Sequence, residues 1–164
     1  MNASRSADTV TRFKVILVPT DFDESAELVL DHAVAIALAS KARIVLFHAY
    51  PLPYVSPWGG VILPDADGSV VGMMRAAGRE ALAQVIANRK ESGVEMSAIL
   101  AMGEARACIL DAVAEQHADL VVMGTHGRHG FSRMLMGSTA EGIVRMSPVP
   151  VLTVRAPVSV PPAH

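Results

Sequence analysis

A glycine-rich stretch and a short acidic turn are the two places in this chain where residue type and spacing could do chemistry. Glycines stand at positions 124, 127, 130 and 137, and the last is followed by Ser138 and Thr139. Glycines at 124, 127 and 130 permit positive φ and let main-chain N–H groups approach a ligand with no Cβ in the way. Turns of that kind form concave anion sites. Gly137-Ser138-Thr139 opens a helical stretch, 138–146, whose unpaired N–H groups and positive dipole end favour phosphate. Ser138 and Glu141 also match a capping box. Ser138 thus reads as a helix cap or as a phosphate ligand, and the two are compatible because a cap hydroxyl can turn to a phosphate oxygen. The second place is Pro19-Thr20-Asp21, which offers a carboxylate directly after an apolar run. Asp21 has a plain reading as well, as a cap or turn residue before a helix.

The elements that must position these residues follow from hydrophobic patterning. Residues 15–18 form a continuous apolar run closed by Pro19, the mark of a buried strand. Asp23 or Ser25 can cap the Ala- and Leu-rich helix that follows, which runs to about Ser40. Residues 43–49 read as a second strand, and 50–68 as a Pro/Gly-rich connection carrying Tyr54 and Trp58. Helical spacing over 71–92 ends at Gly93. Residues 94–100 alternate as a third, more exposed strand, 104–117 as a helix, 120–123 as a fourth buried strand, and 149–154 as a last strand. Strands alternating with helices imply parallel pairing with right-handed crossovers. The expected fold class is α/β, a single doubly wound, Rossmann-like five-stranded parallel sheet in the order 3-2-1-4-5 with helices on both faces. Residues 13–155 make one domain between tails at 1–12 and 156–164. That order brings the ends of the first and fourth strands together at the switch point, where ligands of such sheets bind.

Composition bounds the remaining classes. Of 164 residues, 51% are hydrophobic but only 4% aromatic, and 18% are charged, which supplies a core and excludes global disorder. The net charge of −2 and the absence of any Lys/Arg run longer than two argue against a nucleic-acid surface. No signal peptide is read, and the prolines at 51, 53, 57 and 64 rule out a helical membrane span in the longest uncharged segment. The single Cys108 is read as a small buried hydrophobe, so a soluble, cytoplasmic protein is expected.

With those residues in hand, the chain resembles the universal stress protein family over about 13–155. The family's pattern Gly-x2-Gly-x9-Gly-Ser/Thr stands intact as Gly124, Gly127, Gly137 and Ser138. Its first-strand ending stands as Val18-Pro19-Thr20-Asp21, and the Pro-Val-Pro-Val-Leu strand occupies 148–152. The resemblance implies an ATP site and assigns its parts. Pro19, Thr20, Asp21 and the main chain of Ala49 would line the adenosine end. Met123, Gly124, His126 and Gly127 would wrap the ribose and first phosphates. Gly137, Ser138 and Thr139 would hold the distal phosphates, with Mg2+ among them. It also implies a homodimer built by the last strand, 149–154, and a regulatory role with an unidentified protein partner.

Several residues keep plainer alternatives. Arg128 and Arg133 could donate to phosphate or belong to a solvated loop. His126 and His129 have no third ligand at convincing spacing, so no protein-built metal site is expected. His48, in an apolar strand, reads as a satisfied core histidine. Neither a Gly-Lys-Ser/Thr loop nor the dinucleotide glycine fingerprint follows the first strand, and the His-x-Gly-His and Ser-Gly-Gly-x-Asp-Ser motifs of related ATP-consuming enzymes are absent. No catalytic residue is therefore assigned. Binding is expected to outweigh turnover, with slow ATP hydrolysis and a vestigial interaction domain as the competing readings.

Overall fold

Uninterrupted β-branched and leucine-rich runs make the strands, and their pleat sends alternate side chains into two separate cores. A computed structural model describes residues 13–51, 69–125 and 136–155. Its strands are β1 (Val15–Pro19), β2 (Arg43–Tyr50), β3 (Met96–Met102), β4 (Leu120–Gly124) and β5 (Val151–Val154). Its α-helices are α1 (Ala26–Ser40), α2 (Ser69–Asn88), α3 (Ala105–Glu115) and α4 (Ser138–Met146). The sheet is parallel throughout and ordered β3-β2-β1-β4-β5, as the patterning implies.

Ile16, Val18, Ile44, Leu46, Leu120 and Val122 point to a core closed by Val29, Leu30, Ala33 and Ala37 of α1 and Leu82 of α2. Leu17, Val45, Phe47, Val121 and Met123 point the other way, against Ile109, Ala112 and Val113 of α3 and Ala140 and Ile143 of α4. The three central strands thus carry apolar side chains on both faces, which is why they read as continuous runs rather than alternating ones. β3 and β5 lie at the edges of the sheet.

Element ends differ from the sequence reading where the backbone chemistry changes. The second helix begins at Ser69 and stops at Asn88. A 3-10 turn, Lys90–Ser92, then tightens the chain before Gly93, whose φ of 75° is one that glycine adopts without strain. The third strand starts at Met96, two residues late, and extends to Met102 along β2. The last strand starts at Val151, because Pro148 and Pro150 have no N–H to give a ladder. Ser25 makes no side-chain cap. Its N–H and hydroxyl both donate to Asp23 Oδ1, at 2.9 and 2.7 Å, in a turn that leads into α1. The expected tails and the 52–68 connection with Tyr54 and Trp58 lie outside the described residues.

Glu104 caps α3, its carboxylate accepting the N–H groups of Arg106 at 3.1 Å and Ala107 at 2.8 Å. The Ala107 bond is the chief cause holding this carboxyl below its usual value of 4.5. A depressed folded-state value stabilises the fold above the unfolded value and ceases to do so as pH falls through the folded one. Glu104→Gln is therefore expected to lower the melting temperature at neutral pH. The gap to wild type should close as the pH drops below 4.5, and a calorimetric series across that range checks it.

Candidate functional site

β1 and β4 are paired only at Ile16↔Leu120 and Leu17↔Val121. Beyond that point each strand follows its other neighbour. β1 stays with β2 to Pro19↔Phe47, and the Thr20 N–H then donates to the Phe47 carbonyl at 2.8 Å. β4 stays with β5 to Gly124↔Val154, and the Thr125 N–H donates to the Val154 carbonyl at 3.1 Å. The two strands part at their carboxyl ends, and the crevice falls where the strand order reverses.

One wall of the crevice is the turn after β1. Pro19 lacks a donor, and Thr20 is held from both sides. Its N–H is taken by Phe47, and its carbonyl accepts from His48 Nδ1 at 2.7 Å. A carbonyl only accepts, so Nδ1 carries the proton there and the His48 tautomer is set. The Thr20 hydroxyl accepts the Phe22 N–H at 3.0 Å, and Phe22 takes a positive φ of 59°. The Phe22 ring lies against His48 with centroids 4.7 Å apart. His48 is thus satisfied, as read from the sequence, but its partner makes it a clamp on the turn rather than core filling. Asp21 is half-buried in the same turn, and its Oδ1 accepts the Asp23 N–H over a long 3.4 Å.

The opposite wall is the end of β4 with the start of α4. Met123 is nearly buried, at 6% exposure, and Gly124 follows it at the strand end. The Thr125 carbonyl accepts the Gly137 N–H at 2.8 Å. That single bond sets the residues flanking 126–136 side by side and delivers the N-terminus of α4 to the crevice. Ser138, the first residue of α4, is exposed, while Gly137 and Thr139 are half-buried. Ala49 lies farther along β2, opposite Ala101 and half-buried.

Two expectations are corrected. The capping box at Ser138 does not form: Gly137 occupies the cap position, so the Ser138 hydroxyl is one residue too late to cap. The Glu141 carboxylate instead accepts from Arg145 at 2.7 Å. Gly124 does not use a positive φ, because it is still a ladder residue of β4. His126, Gly127, Arg128, His129, Gly130, Arg133 and Met134 lie outside the described residues. The structure therefore brings Pro19, Thr20, Asp21, Met123 and Gly124 to one crevice and adds Gly137, Ser138 and Thr139 at its rim. Sequence reasoning missed the Thr20–His48 clamp and the Thr125–Gly137 tie. A polar residue inside the apolar run of β2 was the one signal for the first, and a main-chain bond left none for the second.

Chemically, the first N–H groups of α4 have no intrahelical acceptor and carry the positive end of the helix dipole. An anion is accommodated there without a charged side chain. Among the described residues, no group of three His, Cys, Asp or Glu side chains could hold a metal ion. No helix described is long and apolar enough to cross a membrane.

A model described as "Universal stress protein family" matches residues 12–155. Universal stress protein MJ0531 of Methanocaldococcus jannaschii is 33% identical over 148 residues, covering 88% of this chain and 84% of that protein. The universal stress protein UspA from Lactobacillus plantarum superposes with a TM-score of 0.76 at 24% identity, over 88% of this chain and 99% of that one. A universal stress protein in complex with cAMP matches with a TM-score of 0.57 at 24% identity, over 88% of this chain and 98% of that one. The universal stress protein from Archaeoglobus fulgidus in complex with dAMP matches with a TM-score of 0.58 at 21% identity, over 87% and 98%. These three likenesses establish the fold.

The Thr20 turn has a direct test. Thr20→Val keeps the shape but removes the acceptor for the Phe22 N–H. A loss of about 1 kcal/mol is expected, read as a lower urea midpoint at an unchanged m-value.

Proposed function

Because the chain belongs to the universal stress protein family, we propose that it is an ATP-binding member whose nucleotide occupancy sets its conformation or assembly. The observation that carries this reading is the parting of β1 and β4, with α4 tied across the gap through Thr125 and Gly137. Adenosine lies against Pro19, Thr20, Asp21 and the Ala49 main chain. Met123, Gly124, His126 and Gly127 wrap the ribose and first phosphates, and Arg128 adds charge. Gly137, Ser138 and Thr139 take the distal phosphates. The uncapped hydroxyl of Ser138 favours that assignment, since no helix bond competes for it. The binding of cAMP and of dAMP by two structural relatives supports an adenine nucleotide.

Mg2+ enters with the phosphates and not as a resident metal. The hard oxygen donors at the rim are the hydroxyls of Ser138 and Thr139, which suit an ion that keeps most of its water. Slow hydrolysis is compatible with such a site, but the role is binding and regulation in the cytoplasm. The carrier of the signal is a protein partner that reads the loaded form.

The homodimer forms through β5. Leu152 is exposed on this edge strand, and Val144 and Met146 of α4 are exposed as well. Antiparallel pairing across a two-fold axis covers an edge that has few charges to protect it. Leu152→Lys is expected to halve the mass measured by light scattering at micromolar concentration. A wild-type chain that is already monomeric there removes the dimer from the proposal.

The nucleotide assay is the primary test. Protein purified without added ligand is denatured and its adenine nucleotides are quantified, for wild type, Gly127→Val and Ser138→Ala. ATP is expected in the wild type, none with Gly127→Val, and a reduced amount with Ser138→Ala. No nucleotide in the wild type, together with no rise in melting temperature on adding Mg-ATP, overturns the reading.

A further inference from the structure

Two consecutive residues of β2 hold the main chain of Thr20. The Phe47 carbonyl accepts its N–H at 2.8 Å, and His48 Nδ1 donates to its carbonyl at 2.7 Å. The second bond reaches further than Thr20 itself. That carbonyl belongs to the Thr20–Asp21 amide, which is planar and trans, so its C=O and N–H point in opposite directions. Fixing the carbonyl on His48 therefore also turns the Asp21 N–H away from the imidazole and places the Asp21 backbone. The 3.4 Å approach of Asp21 Oδ1 to the Asp23 N–H is a weaker tie than the 2.7 Å bond on its peptide group.

The imidazole is itself aimed by its surroundings. It follows Ile44 and Leu46 at alternate positions of β2, on the face covered by α1 and α2. A Cβ built on Gly78 of α2 would lie 3.6 Å from His48 Cδ2 and 2.9 Å from Cδ1 of Leu100, the ladder partner of His48 on β3. The helix thus passes close over both side chains. The Phe22 ring lies against the imidazole, with centroids 4.7 Å apart. Helix, edge strand and turn box the ring, and its Nδ1 edge is directed at Thr20.

We infer that His48 is a positioning residue for the nucleoside end of the site: it sets how tightly the chain holds adenosine by orienting the Thr20–Asp21 peptide, without contact to the ligand. The inference rests on the nucleotide-binding reading above and adds to it a residue which that reading leaves out. A merely structural histidine would make affinity follow stability. A positioning one separates the two, because an apolar side chain can fill the same space while leaving the Thr20 carbonyl without its donor. The phosphate contacts assigned to α4 lie on the opposite wall, so a misplaced Thr20 turn costs a triphosphate and a monophosphate the same.

The test is calorimetric titration of the full chain with Mg-ATP and with AMP, for wild type, His48→Leu and His48→Asn, with melting temperatures alongside. Leucine and asparagine have nearly one shape, but only asparagine carries a donor where Nδ1 stands. His48→Leu is expected to weaken both nucleotides about tenfold, the worth of one hydrogen bond, and His48→Asn to stay within about twofold of wild type. Where His48→Leu does not fold, His48→Val, which suits a strand and also lacks the donor, gives the same readout. Val85→Ala thins the core beneath α2 two turns from Gly78, and is expected to lower the melting temperature with both affinities unchanged. Unchanged affinity without the donor, failure of His48→Asn to keep it, a loss confined to ATP, or an equal loss in Val85→Ala overturns the inference and leaves the nucleotide site standing. A wild-type chain that binds neither nucleotide overturns the underlying reading instead.

Discussion

The hydrogen-bond ladder between β1 and β4 ends at Leu17↔Val121, while each of the two strands continues along its outer neighbour. The next residue of β1 to face β4, Pro19, has no N–H with which to continue the ladder. Past the break, Thr20 bonds to Phe47 of β2 and Thr125 to Val154 of β5. A parallel sheet wound in both directions from its centre has one such place, and the described candidate residues that follow β1 and β4 and open α4 are arranged around it.

That geometry separates the tasks of the two faces. α1 and α2 close a core that supports β1 and β2 from one side. α3 and α4 close the other, and α4 also brings its N-terminus to the rim of the crevice. Ala140 and Ile143 seat α4 on the sheet, and the bond from Gly137 to Thr125 aims its first turn. Burial therefore fixes where the helix lies, and one main-chain bond fixes where it points. Exposed Ser138 is left with no structural duty that a ligand would have to displace.

The turn after β1 works differently. Its shape comes from polar satisfaction: the Thr20 hydroxyl and carbonyl, His48 Nδ1 and the Asp23 carboxylate each bind a neighbouring group. The turn that presents Asp21 is thus defined by a set of directional bonds together with the packing of Phe22 against the core. A left-handed Phe22, its ring tilted against His48, closes that set.

The α/β class and the strand order were legible in the sequence, since short unbroken apolar runs alternating with helical stretches fit strands buried on both faces of a parallel sheet. The sequence also placed α4 at residues 138–146 and supplied the glycine and serine types that an anion site requires. Periodicity is a local signal, and these are properties written locally. Only the tertiary structure decided what depends on residues distant in the chain. It made His48 a clamp on Thr20, gave the cap of α4 to Gly137 instead of Ser138, kept Gly124 in its ladder, and brought α2 over His48 at Gly78. Each of those outcomes follows from where one element meets another, and a single hydrogen bond or a missing Cβ leaves no periodic trace in the sequence.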